Sequence, residues 1–202
     1  LNLPHRMNVL EQAVVLANRG ELDAAMRMVE ALLESEHDNA AAHCVLGQIH
    51  LRRGEHDDAN DCFILALNFQ PDYAEAHRQA GLLARERGKH GEAERALRQA
   101  AALDPSNPSI LNDLGVLYFE TGRLQEAVEL FRRVLESAPQ HADAHSNLGY
   151  VLARELEQIE EGKAHIQQAL RLNPDHVAAQ SNMSVILHHE GRRQEALELC
   201  EK

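Results

Sequence analysis

Thirteen histidines among 202 residues raise metal chemistry first, because a neutral imidazole is a ready ligand for zinc and related ions. Their spacing argues against it. His43, His77 and His145 stand in the repeated contexts AAH, EAH and DAH, which points to a packing position used more than once. His188 and His189 are adjacent, so on a helix they point to different sides and cannot chelate one ion together. His43 and His50 lie two helical turns apart, too far for one ion without further ligands. Cys44, Cys62 and Cys200 are an odd count without metal-type spacing and read as buried free thiols in a reducing compartment. Neither a metal nor any other cofactor is expected.

The residues for catalysis are equally scattered. Glycines occur singly, never as GxGxxG or GxxxxGK, so no phosphate-cradling loop is predicted. Carboxylates are plentiful but fall in runs such as GEAERA and QEAVEL, which place them on solvated helix faces. The segment is therefore expected not to be an enzyme by itself. Its net charge of −12 opposes a nucleic-acid partner. No uncharged run reaches the ~18 residues of a membrane span, so no membrane partner is expected and the location is taken as cytoplasmic. The chain begins LNLPH without Met, which reads as trimmed and leaves open whether a leader was removed.

What positions these residues is a repeat. Hydrophobic residues make up 44% of the chain and aromatics 3%, with no Trp, so the core must be built from Leu, Ala, Val and Ile. In LNDLGVLYFETGRLQEA, Gly115 sits inside an otherwise amphipathic helical pattern, at a cost of about 1 kcal/mol relative to Ala. It recurs at Gly47, Gly81 and Gly149, each 34 residues from the next. Gly54, Gly88 and Gly122 keep the same period, as do Ala59, Ala93 and Ala127, and Pro71, Pro105 and Pro139. The first glycines would let two helices cross closely, with the alanines as the small surface opposite. The second glycines suit left-handed helix C-caps, and the prolines end the following helix. Each unit is then helix, turn, helix, turn, with helices too short to be stable unless stacked.

This spacing resembles the tetratricopeptide repeat family, whose 34-residue motif has small residues at its eighth and twentieth positions and proline near its end. The resemblance implies an all-α, right-handed α-solenoid of about six helix-turn-helix repeats. Over 1–202 as a single array, they begin at Arg6, Ala40, Ala74, Pro108, Ala142 and Val177. Departures are local. The first repeat has Ala13 for the glycine and His37 for the proline. The fifth runs one residue long, lacks the turn glycine in RELEQIEEG and has Gly162 for the alanine. The sixth has Ser184 for the glycine and stops inside its second helix at Lys202. That incomplete end implies either a piece of a longer chain or a face, with Leu197, Leu199 and Cys200, that pairs with another copy.

In this family the first helix of each repeat lines a concave groove. Carried onto this sequence, the groove positions include Gln79, Asp113, Asn147 and Asn182, with Asn112, Phe119, Tyr150, Arg78, Arg85 and Arg154 beside them. Asn147 and Asn182 resemble the start of the asparagine ladder in the repeat region of O-linked N-acetylglucosamine transferase. There a primary amide can donate to and accept from a ligand backbone together; the alternative is ordinary polar residues on a wet helix face. Phe119 and Tyr150 would offer flat apolar contacts, or else pack between inner helices. Arg52, Arg78 and Arg85 form either a cationic stripe or ion pairs with Glu75 and Glu86. No inner helix contains Lys, so a KxxxN carboxylate clamp is not expected. The resemblance implies a protein–protein interaction module for an extended peptide or a partner helix. Two alternatives are the recruiting region of a larger enzyme, such as a glycosyltransferase or sulfotransferase, and a self-assembling scaffold. Replacing Asn147 and Asn182 by Ala would be expected to weaken binding without changing the melting temperature.

Overall fold

A computed structural model describes residues 8–200, the side chains of Glu198 and Cys200 excepted. The expected repeat start at Arg6 and the terminal Lys202 fall outside the described residues. Among them the chain is all-α, without a strand. The chain divides into two compact units, Leu1–Leu103 and Asp104–Lys202.

The first unit holds α1 (Val9–Asn18), α2 (Leu22–Ser35), α3 (Ala40–Arg53), α4 (His56–Phe69), α5 (Ala74–Glu86) and α6 (His90–Leu103). The second holds α7 (Pro108–Glu120), α8 (Leu124–Ser137), α9 (Ala142–Tyr150), a π-helical turn over Val151–Glu155, α10 (Ile159–Leu172), α11 (Val177–His189) and α12 (Arg193–Cys200). Within each unit every helix packs on its successor, so the architecture is a run of helix pairs. Asn39 and Asn107 cap the starts of α3 and α7 through their side chains, as expected for a short acceptor facing orphan N–H groups. His141 and His176 do the same for α9 and α11 through Nδ1.

Both glycine series have structural causes. Gly54, Gly88 and Gly122 have φ of 77°, 71° and 79°, the left-handed region where a side chain is strained. At the mid-helix series a Cβ would lie 2.5 Å from the Phe63 ring at Gly47, 2.8 Å from Leu97 at Gly81 and 2.6 Å from Phe131 at Gly115. The alanine position does face the glycine in two pairs, where a Cβ on Gly81 would lie 3.3 Å from the Ala93 carbonyl oxygen and one on Gly149 would lie 2.6 Å from the Gly162 carbonyl oxygen. The alanines Ala59, Ala93 and Ala127 are buried, but a large side chain four residues further on fills the space beside each glycine. Glycine suits these positions because a ring or a Leu side chain occupies the space that its Cβ would enter.

The fifth pair handles its extra residue differently. The inserted residue is absorbed as the π turn at the end of α9. Glu157, with φ of 56°, takes the left-handed position that glycine holds elsewhere. The widened turn presses Ala153 toward α10, where a Cβ on Gly162 would lie 2.7 Å from Ala153 Cβ. Gly162 in place of alanine makes that room. The two glycines meet directly: a Cβ on Gly149 would stand 2.6 Å from the Gly162 carbonyl oxygen. In the sixth pair Ser184 turns its hydroxyl to the Ala196 carbonyl at 3.1 Å. Leu197 is exposed, whereas Leu199 packs against the last core cluster. The Cys200 side chain lies outside the described residues.

Candidate functional site

The histidines in the AAH, EAH and DAH contexts are structural, through hydrogen bonding as much as packing. Nε2 of His43 meets the His37 carbonyl at 2.8 Å, that of His77 the Pro71 carbonyl at 2.8 Å, and that of His145 the Pro139 carbonyl at 3.1 Å. In the sixth pair Gln180 Nε2 donates to the Pro174 carbonyl at 2.8 Å in the same way. Each such side chain ties an inner helix to the turn that precedes it.

His50, Glu55 and Asp58 bring three ligand-type atoms within 4.8 Å of one another. Glu55 is already shared between His50 Nδ1 at 2.6 Å and Arg53 Nε at 2.7 Å. It also stands at the start of α4, where the helix dipole opposes a cation. These contacts hold its carboxyl below the usual range. The contacts of Glu55 with His50 and Arg53 lock the turn, and Asp58 lies beside them. Cys44 and Cys62 are buried free thiols, pushed up to about 12 and about 11 chiefly by desolvation, so neither is a nucleophile near neutral pH.

In the first unit the groove positions are mutually satisfied. Glu75 accepts from Gln79 Nε2 at 2.7 Å, Gln48 Nε2 at 3.2 Å and Arg78 Nη1 at 3.2 Å. Arg52 donates to Asn18 at 2.6 Å. Arg85 is half-buried in α5 and also engaged.

The second unit brings the other candidates together. A cavity of about 210 Å³ is walled by Phe119, Glu120, Asn147, Tyr150 and Asn182, with Val116, Phe131 and Val151 completing its lining. Three inner helices, α7, α9 and α11, supply the mouth, and Phe131 of α8 supplies part of the floor. Phe119 and Tyr150 meet edge to face, ring centres 5.4 Å apart, an arrangement that fixes both rings. Arg154 lies over Tyr150 at 5.9 Å. Asp113 lies half-buried on α7 and is itself engaged.

The asparagines divide the work unequally. Asn147 Nδ2 donates to Asn112 Oδ1 at 3.1 Å, bridging α9 to α7. Asn112 is only 8% exposed, so its place is as the brace that orients Asn147, not as a surface for ligand. One repeat on, the equivalent step runs from Ser146 to Asn182, and the shorter Ser146 leaves its buried Oγ without a partner. The Asn182 side chain makes no hydrogen bond among the described residues, so its amide is open to the cavity it lines. Removing Asn147 would leave Asn112 Oδ1 buried and unpaired, at about 1–3 kcal/mol. Asn147→Ala is therefore expected to lower the melting temperature, whereas Asn182→Ala, which removes no side-chain hydrogen bond among the described residues, is expected to leave it unchanged.

Between α9 and α10 sits an imidazole pair that sequence reasoning missed. His145 Nδ1 and His165 Nδ1 are 2.9 Å apart. Since His145 Nε2–H donates to Pro139, its Nδ1 must accept, and His165 Nδ1–H is the donor. Burial lowers the pKa of both; the hydrogen bond to Pro139 opposes it at His145, where Arg171 and His141 reinforce it, and Glu161 opposes it at His165, where His145 and Arg132 reinforce it. The unfolded chain then takes up protons first as pH falls through the ordinary value of 6.5. The pair's contribution is intact above that value and is lost below it. Thermal melts should show wild type losing stability between pH 7 and 5, with His145→Gln, the residue type already at position 180, losing less. Parallel pH profiles would contradict this.

Consecutive helix pairs, left-handed turn glycines and a pocket opened by inner helices define a tetratricopeptide-repeat protein, a class of protein-interaction module. Within that class the chain belongs to the family described as the cilia and flagella-associated protein 70 C-terminal domain, whose profile matches residues 7–202. No curated protein matches it in sequence. Among solved structures, YrrB, described as a TPR protein with an unusual peptide-binding site, aligns with a TM-score of 0.62 and 25% identity, over 85% of this chain and 88% of YrrB. The thermophilic TPR protein TTC0263 of Thermus thermophilus aligns with 0.73 and 20% identity, over 89% and 97%. The APC/C hetero-tetramer Cut9–Hcn1 aligns with 0.85 and 19% identity, over 95% of this chain and 38% of that one. The latter two share the fold. No helix among the described residues is long and apolar enough to cross a membrane.

Proposed function

We propose that this chain is a peptide-binding module whose working surface is the inner-helix cavity of the second unit, within a tetratricopeptide array that spans the chain. An extended segment of a partner protein lies across α7, α9 and α11. Asn182, and the free oxygen of Asn147, hold its backbone. Phe119 and Tyr150 take an apolar side chain into the cavity, and Arg154 stands at the rim for an acidic neighbour. The observation that carries this reading is the unpartnered Asn182 amide at the mouth of an apolar cavity, beside an Asn147 already oriented by Asn112. YrrB's description as a peptide binder supports the class of ligand. No cofactor or catalytic step is involved, and the two buried thiols suit a reducing, cytoplasmic setting.

The test is a peptide selected from a random library on the whole chain, then titrated by fluorescence anisotropy. Asn182→Ala should weaken its binding about tenfold, the loss of one or two backbone hydrogen bonds, with the melting temperature unchanged. Equal affinity for wild type and variant would remove the amide from the site.

A further inference from the structure

The repeats serve as an internal standard, and by that standard one outer helix is unusual. On α4 the outward face carries Ile64 at 49% exposure and Leu65 at 40%, while Phe69 at the helix end is half-exposed with its ring stacked on His43 at 5.4 Å and edge-on to His37. At the position of Ile64 the other outer helices carry Glu30, Arg98, Arg132 and Gln167. At the position of Leu65 they carry Ala31, Gln99, Arg133 and Gln168. Solvent-facing positions that are otherwise polar or small are thus large and apolar here alone. Two adjacent large apolar side chains on one helix face, bordered by the Phe69 ring, are more than a scattered surface residue.

The same face has a charged end. Asp57, Asp58 and Asp61 stand on the first turns of α4, and Asp61 takes the place that Arg27 and Arg95 hold in the neighbouring outer helices. Asp57 is engaged by Arg87 at 2.6 Å, whereas Asp58 and Asp61, both exposed, form no ion pair among the described residues. Asp58, Asp61 and Leu65, at i, i+3 and i+7, with Ile64 three residues after Asp61, make one continuous strip.

We propose that this strip is a second docking surface, on the outer helix of the second repeat, for an amphipathic helical segment of another protein. Basic residues of that segment lie over Asp58 and Asp61, and apolar residues lie over Ile64 and Leu65. Charge selects the occupant. A second copy of this chain, with net charge −12, would bring carboxylates against carboxylates. An anionic membrane or a nucleic acid would be repelled likewise. A cationic, apolar helix satisfies both halves of the strip.

The test uses the whole chain and a synthetic helix of about 18 residues with Leu on one face and Lys beside it, against a control with Glu for Lys. Wild type should bind the Lys helix at least about tenfold more tightly than the Glu helix, with the preference weakening as salt rises. Ile64→Arg with Leu65→Gln installs the residues that α6 carries at Arg98 and Gln99, so folding should be unaffected. Affinity for the Lys helix should fall about tenfold. Asn182→Ala should leave it unchanged, which separates this surface from the cavity. The proposal is overturned by equal binding of both helices, by equal binding to wild type and the double variant, by dimers that the double variant abolishes, or by binding of wild type to phosphatidylserine vesicles.

Discussion

Gly149→Ala should lower the stability of the fifth helix pair by about 3 kcal/mol, while the same change at Gly115 should cost about 1 kcal/mol or less. On an isolated helix both would be favourable by about 1 kcal/mol. They differ in what the new methyl group meets. At Gly115 the nearest atoms belong to the Phe131 ring, the first at 2.6 Å, and a ring can tilt. At Gly149 they include the Gly162 carbonyl oxygen at 2.6 Å and the Ile166 backbone nitrogen at 3.0 Å. Backbone can yield only by separating α9 from α10. Hydrogen exchange of the α9 and α10 amides in the whole chain measures the difference. Similar protection in the two variants would show that the helices are not locked by that crossing.

Tyr150→Ala should reduce affinity for a selected peptide by about 30- to 100-fold, the 2–3 kcal/mol typical of a buried aromatic anchor. The ring is one wall of the cavity and the edge-to-face partner of Phe119, so its loss both opens the pocket and frees the opposite wall. Tyr150→Phe keeps the ring and should retain affinity within about threefold, since the wall is apolar in its contact. Arg154, at 5.9 Å from that ring, would be freed in the Ala variant but not in the Phe variant. A large loss in both variants would mean that the phenolic hydroxyl, not the ring, binds the ligand.

Much of the repeat was legible because the same residue types return in phase. Glycine at 54, 88 and 122 reports a backbone angle, and angle requirements are written in residue identity. The partners of the crossing glycines were harder to see. Phe63, Leu97, Phe131 and Ile166 recur in phase too, but only their bulk is shared, so they do not register as a repeated letter. The extra residue of the fifth repeat could be counted, yet not placed. Whether it enters as loop or as a π turn depends on packing of Ala153 against Gly162, which no local pattern states. At the site, Phe119, Asn147, Tyr150 and Asn182 converge on one cavity, while Arg78 and Gln79 belong to the other unit and spend their polar groups on Glu75. The Asn112–Asn147 bond joins residues 35 apart in the chain, and the His145–His165 bond joins residues 20 apart. Neither has a local signature; each exists because two helices are side by side.

The inner-helix cavity of the second unit is the proposed place where partner peptide is held. Side-chain amide resonances of Asn147 and Asn182, followed by two-dimensional NMR while a selected peptide is added to the whole chain, test this most directly. Both amides should shift and saturate together with the anisotropy signal, with backbone changes gathered on α7, α9 and α11. Saturating binding that leaves both amides unmoved and perturbs the outer helices instead would contradict it.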